Sequence, residues 1–150
     1  MYKLKGLYDS HLHVLGLGFN MNNIDLSTLQ SISELKELSI SEGKEVIFGR
    51  GWHEENFIEK RVPHKSELNN ISKEQPVIFL RVCGHVLVCN DKALELAGIT
   101  SDTPQIEGGL FDYNTGMFTE DALSLIYKII PKYKKEDIKE VYIKSKESQA

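Results

Sequence analysis

The sequence is short of cysteine, of long apolar runs and of positive charge, and each shortage removes a class of protein. Two cysteines, Cys83 and Cys89, are too few for a disulfide scaffold, so a reducing cytoplasm is the expected compartment. No apolar stretch approaches the roughly 20 residues that a membrane-spanning helix needs. Lys plus Arg total 18 against 22 Asp plus Glu, a net charge of -4. Without a basic field, neither nucleic acid nor an anionic membrane is an expected partner. No charged-then-apolar leader precedes Asp9, so export is not expected either.

What is present suits a globular domain. The 150 residues are 41% hydrophobic and 27% charged, enough to bury one sizeable core. Leu4 to Val14 alternates apolar with polar residues, as a strand entering a Gly- and Asn-containing loop does. Leu29, Ile32, Leu35 and Leu38 then recur at helical spacing behind a Ser27/Gln30 capping signal, which predicts a helix over Ser27 to Glu42. Val46 to Phe48 reads as a strand ended by Gly49, Arg50 and Gly51. A short helix is expected over Lys65 to Asn70. Buried strands are expected over Val77 to Val82 and Val86 to Val88, with a break at Gly84. Asn90 or Asp91 caps a helix over Lys92 to Ala97 that stops at Gly98. Leu110 to Phe118 reads as a hairpin turning at Asn114-Thr115-Gly116. A helical stripe runs from Ala122 to Ile130, and a charged surface helix from Lys135 to Ala150. The expected fold class is α/β, a small mixed sheet with flanking helices.

Chemistry concentrates in Asp9-Ser10-His11-Leu12-His13. On a strand, side chains at i and i+2 leave the same face, so both imidazoles can converge on one cation. A catalytic zinc takes about three protein ligands and keeps a position open for water. Asp9 lies one step earlier on that face, where it either orients His11 or bonds backbone amides. The spacing alone is weak evidence, because 5 histidines in 150 residues produce such a pair by chance roughly one time in six.

The context is more specific. Gly6-Leu7-Tyr8-Asp9-Ser10-His11-Leu12-His13 resembles the first-strand signature of the amidohydrolase superfamily, a glycine and an apolar pair before Asp-x-His-x-His. Further matches follow in order. They are Phe48-Gly49-Arg50-Gly51-Trp52, Leu80 through Arg81, Cys83 and Gly84 to His85, Asn90 before Ala93 to Thr100, and Gly108-Gly109 followed by Thr115-Gly116. Together they are similar to the branch that holds the N-substituted formamide deformylases, from about Leu4 to about Glu120.

The resemblance implies a (β/α)8 barrel whose first strand ends in His11 and His13, ligands of a divalent metal, usually zinc. That metal would polarise an amide oxygen and activate water to hydrolyse a non-peptide C-N bond in a small molecule. A bridging ligand, two later histidines and an aspartate general base belong to barrel strands that lie beyond this sequence. His53, His64 and His85 fall instead in the excursion between the first two barrel strands. The chain is thus expected to be one partial domain, with 1–16 as the first barrel strand and 17–150 as a helix and cap region. Both ends look cut, and a closed barrel takes about 200 residues or more, so the chain alone is expected to be inactive. Its unpaired barrel strand would favour self-association into a homo-oligomer. Lys5 stands where the family often has proline and His53 where it often has an acid, departures that bear on substrate more than on fold.

Other residues carry two readings each. His85 faces the substrate or is a hydrogen-bonded structural histidine, and Trp52 walls a pocket or anchors a core. Cys83 is a nucleophile or ligand only beside a base or metal, and otherwise an inert core residue of an apolar strand. Arg50 and Arg81 bind a carboxylate or pair with Glu54 or Glu55. Two further functions stay open: a barrel phosphoesterase, disfavoured by the lack of a Gly-rich anion loop, and a non-catalytic α/β binding module.

Overall fold

The computed structural model describes residues 23–38, 40, 45–132 and 135–147, with backbone only at 135, 141 and 144–147. Two compact units divide the chain, Asn23–Lys132 and the remainder.

The first unit is built on a six-stranded mixed sheet. Its strands are β1 (Ile24–Asp25), β2 (Ile47–Trp52), β3 (Val77–Arg81), β4 (Val86–Cys89), β5 (Phe111–Asp112) and β6 (Met117–Thr119), in the order β1-β2-β3-β4-β6-β5. β1, β2 and β3 run parallel, whereas β3-β4, β4-β6 and β6-β5 are antiparallel. The change of sense falls at the tight β3-β4 turn, closed by the Gly84 N–H donating to the Arg81 carbonyl at 2.9 Å.

β3 is a continuous apolar run because both its faces are covered. Ile78 and Leu80 join Leu87 and Cys89 of β4 in one core, packed by α2 (Asp91–Ala97) and α3 (Leu123–Tyr127) through Ala93, Leu94, Ala97, Leu123 and Ile126. Val77, Phe79 and Val88 face the other way, toward Leu26, Ile32, Leu35, Trp52, Phe57 and Leu68, the last from α1 (Lys65–Asn69). Side chains thus alternate between two cores with the strand period of two.

Asn90 ties these layers together. Fully buried at the start of α2, it accepts the N–H groups of Val77 and Ala93, each at 3.0 Å, and donates to the carbonyls of Ser72 and Gln75 at 2.8 and 2.9 Å. Helix cap, strand start and the preceding loop are held by one amide. Helix α2 stops at Gly98, as its sequence predicts.

Three expectations need correction. In the described part of the helix predicted over Ser27 to Glu42 the chain instead forms a 3-10 helix over Ile32–Glu37, capped by Ser31 and leaving at an extended Leu38, while 39, 41 and 42 lie outside the described residues. Its start is set from outside: the Glu59 carboxylate accepts from Ser31 Oγ at 2.7 Å and from the Ile32 N–H at 3.1 Å. Asp25 accepts the Ser27 N–H at 2.9 Å, so Ser27 closes a turn after β1 and does not begin a helix. The second correction concerns β2, which runs through Gly49, Arg50 and Gly51 to Trp52. Glycine at 49 is required by close approach, since a Cβ there would lie 2.9 Å from Leu26 Cδ1 and from Phe79 Cδ1. Third, the stripe from Ala122 to Ile130 resolves into a 3-10 turn, Glu120–Ala122, followed by the five-residue α3.

In the second unit the described element is α4 (Lys135–Glu147), a charged helix with Ile138, Tyr142 and Ile143 part-exposed. No helix among the described residues is long and apolar enough to cross a membrane.

Candidate functional site

Parallel strands present their carboxyl ends, and the loops that follow them, as the usual ligand side of an α/β sheet. Here β2 delivers Trp52, His53 and Glu54 to that edge, and β3 delivers Arg81 and the turn through Cys83 to His85. The two strands are fastened there by the Val82 N–H, which donates to the Trp52 carbonyl at 3.0 Å.

Trp52 is 1% exposed. Its indole N–H donates to the Phe79 carbonyl at 3.0 Å, and its ring stacks on Phe57 at 6.4 Å between centroids. Beside it, Arg81 grips Glu54 with both arms of the guanidinium, Nε to Oε2 at 2.8 Å and Nη2 to Oε1 at 2.9 Å. Of its two readings at the sequence level, Arg81 takes the ion pair. The fork holds the Glu54 carboxyl well below the usual carboxylate range, at about 2, with the Arg81 hydrogen bonds as the largest cause. His53 Nε2 lies 3.0 Å from the same Nη2.

Cys83 is exposed in the turn. Burial raises its thiol pKa, but the His85 N–H donating to Sγ at 3.4 Å and the neighbouring Arg81 charge outweigh it, and the net direction is downward. Cys89 is the opposite case, a core thiol that burial pushes up to about 12.

His85 stands on the far side of the turn. Its side chain is 66% exposed, and Nδ1 lies 2.9 Å from Glu120 Oε2. The contact is doubled through the backbone, where the Glu120 N–H donates to the His85 carbonyl at 2.9 Å. Glu120 has no counterpart among the site residues read from the sequence. Its place just after the second hairpin strand is the one sequence signal that could have found it, and that signal names no partner.

His11 and His13, with Asp9, lie outside the described residues. Among the described residues no group of three or more His, Cys, Asp or Glu side chains could hold a metal ion. The structure therefore brings together Glu54, Arg81 and His53 at one point and His85 and Glu120 at another, while Trp52 is buried against Phe57 and the Phe79 carbonyl.

Known proteins align with this chain along most of its length. The model of the amidohydrolase family matches residues 5–142. The Bacillus subtilis (strain 168) protein named "Putative amidohydrolase YtcJ" is 32% identical over 136 residues, covering 84% of this chain and 26% of that protein. The N-substituted formamide deformylase of Arthrobacter pascens is 26% identical over 134 residues, 81% of this chain and 25% of the deformylase. Among solved structures, an uncharacterised metal-dependent hydrolase from Pyrococcus horikoshii OT3 superposes with a TM-score of 0.66 at 34% identity, over 93% of this chain and 27% of that one. The chain spans about a quarter of the length of the relatives it matches.

Proposed function

Because the chain belongs to the amidohydrolase family, which matches it over residues 5–142, we propose that it is part of a metal-dependent hydrolase of amide-like, non-peptide C-N bonds. The observation that carries this reading is the Asp9-Ser10-His11-Leu12-His13 motif inside the matched region. The similarity to a formamide deformylase supports an amide-like bond, and the similarity to a metal-dependent hydrolase supports a divalent metal.

The donor set fits such a metal as half of a site, because two imidazoles two positions apart in sequence supply two of the about three protein ligands that a catalytic zinc takes. His11 and His13 are the ligands from this chain, and zinc is the expected ion. When bound, it would supply Lewis-acid polarisation of the scissile carbonyl and a nucleophile at neutral pH. The remaining ligands and the general base come from later strands of a (β/α)8 barrel, so this chain alone is inactive. Residues 1–150 belong to one partial amidohydrolase domain, and the six-stranded sheet falls within its cap region, 17–150.

The cap works from the carboxyl ends of β2 and β3. His85 meets the small-molecule substrate, and Trp52 backs the pocket by fixing the strand end that carries Glu54. The protein acts in the reducing cytoplasm, where Cys83 and Cys89 stay free thiols. The chain self-associates into a homo-oligomer.

The test is amide hydrolysis by a protein extended through the full barrel, assayed beside its His11→Ala, His13→Ala double variant. Turnover lost in the double variant is expected. An extended, folded protein that hydrolyses no amide, or hydrolyses it equally without both histidines, refutes the proposal and favours a binding module on the same fold.

A further inference from the structure

His85 and Glu120 are 35 positions apart in sequence, and the fold makes an unusual effort to bring them together. Glu120 has φ +49°, in the left-handed region that a non-glycine residue seldom adopts because it is strained there. What holds it there is the Gly108-Gly109 step. The Gly108 carbonyl accepts the Asp121 N–H at 3.2 Å, and the Leu110 carbonyl accepts the Thr119 N–H at 2.8 Å. A Cβ on Gly109 would fall inside contact distance of the Thr119 carbonyl and the Ala122 N–H, and one on Gly108 would strike the Asp121 side chain. Only a bare backbone lies this close, and the chain at 119–122 is pinned from both sides. The pinned turn aims the Glu120 carboxylate at Nδ1 while its N–H takes the His85 carbonyl.

An ionised carboxylate has no proton to give, so Nδ1 must be the donor. In a neutral imidazole that leaves Nε2 bare, with its lone pair on the side away from Glu120. Free histidine favours the other tautomer. The side chain remains 66% exposed despite this tether, so the nitrogen left unprotonated stays open to a ligand. An exposed side-chain hydrogen bond by itself contributes little stability, which makes a strained backbone hard to account for on stability alone.

We infer that Glu120 is a positioning residue for His85, holding the imidazole as the Nδ1–H tautomer so that Nε2 accepts a hydrogen bond from an N–H or O–H of the substrate. The inference rests on the proposed function for the identity of that substrate, a small molecule with an amide-like bond, but not for the tautomer, which belongs to this chain alone. It also gives the Gly108-Gly109 pair a purpose, to build the turn that carries the carboxylate.

The test has two arms. Nitrogen-15 NMR of the 150-residue chain, recorded with the ring deprotonated, reads the tautomer directly. His85 is expected to show a protonated Nδ1 and an unprotonated Nε2. Glu120→Ala should return it to the mixture of a free histidine, whereas Glu120→Gln, whose amide oxygen still accepts, should keep Nδ1–H. Backbone amide spectra verify that each variant is folded. In the barrel-completed protein, Glu120→Ala should raise KM severalfold with kcat changed less, because only the minor Nδ1–H fraction of the freed imidazole still presents a bare Nε2 to the substrate. Glu120→Gln should recover most of it, and Glu120→Ala should add nothing in a His85→Ala background.

A wild-type His85 protonated on Nε2, or a tautomer unmoved by Glu120→Ala, overturns the positioning role whatever the activity. The expected tautomer with a KM indifferent to His85→Ala overturns the substrate contact instead. Absence of any amide hydrolysis in the completed wild-type protein is a failure of the proposed function, and it is recognised separately because the tautomer would still follow Glu120.

Discussion

Asn90 offers a sharp test of the fold, because its side chain does more than a helix cap does. At an ordinary N-cap, Asn and Asp are nearly equivalent, since the backbone N–H needs only an acceptor. Here the amide also donates, to the Ser72 and Gln75 carbonyls, from a position with no exposure. Asn90→Asp keeps the two N–H contacts from Val77 and Ala93 but turns both donating positions into lone pairs facing carbonyl oxygens. Two lost bonds at about 1 kcal/mol each, with the penalty for unpaired buried acceptors and a buried charge, predict a loss of about 3 kcal/mol. Asn90→Ala leaves the buried Val77 and Ala93 donors without partners and should cost about as much. Against a total stability of roughly 5–15 kcal/mol, either change moves the urea midpoint far down. Urea unfolding followed by Trp52 fluorescence measures it. An Asn90→Asp variant within about 0.5 kcal/mol of wild type would refute the reasoning and reduce Asn90 to an interchangeable cap.

Other perturbations have equally definite outcomes. Glu54 has its pKa lowered from 4.5 to about 2, so the stability that its pair with Arg81 contributes is full above pH 4.5 and lost as pH falls toward 2. The margin of wild type over Glu54→Gln in urea should therefore be constant near neutrality and shrink through that acid window. A margin independent of pH contradicts the assignment. In the native chain a thiol reagent should modify Cys83 rapidly and Cys89 only on unfolding, since Cys83 is exposed with a lowered pKa while Cys89 is buried at about 12. Mass mapping after brief iodoacetamide treatment would show it, and equal labelling would contradict it. Gly49→Ala forces a methyl against Leu26 and Phe79, an overpacking that should cost about 1–3 kcal/mol in the same urea assay.

Local chemistry made parts of this architecture readable from sequence. β3 is a run of apolar residues between Pro76 and a glycine turn, and both its faces are in fact buried. Helix α2 carries its own cap and stop, Asn90 and Gly98. The hairpin announces its turn at Asn114-Thr115-Gly116. Other parts depend on partners far along the chain. β1 is two residues long and exists as a strand because Ile24 and Asp25 pair with Gly49 and Arg50. The apolar spacing of Leu29, Ile32 and Leu35 suits an α-helix, but Glu59 captures the start from 27 residues away and the result is a 3-10 segment. Trp52 carried two readings in the sequence, and its indole lies sealed against Phe79 and Phe57. Glu120 could not be assigned to His85 in advance, because the Gly108-Gly109 approach that aims it is tertiary. The metal motif is the reverse case, plain in the sequence and lying outside the described residues.

The central claim is that His11 and His13 contribute half of a metal site. Isothermal calorimetry of zinc binding to the 150-residue chain, beside the His11→Ala, His13→Ala variant, tests it most directly. The account predicts weak, one-site binding that disappears in the variant, as expected of a site with two imidazole ligands only. Binding that survives loss of both histidines, or none with them intact, would contradict it.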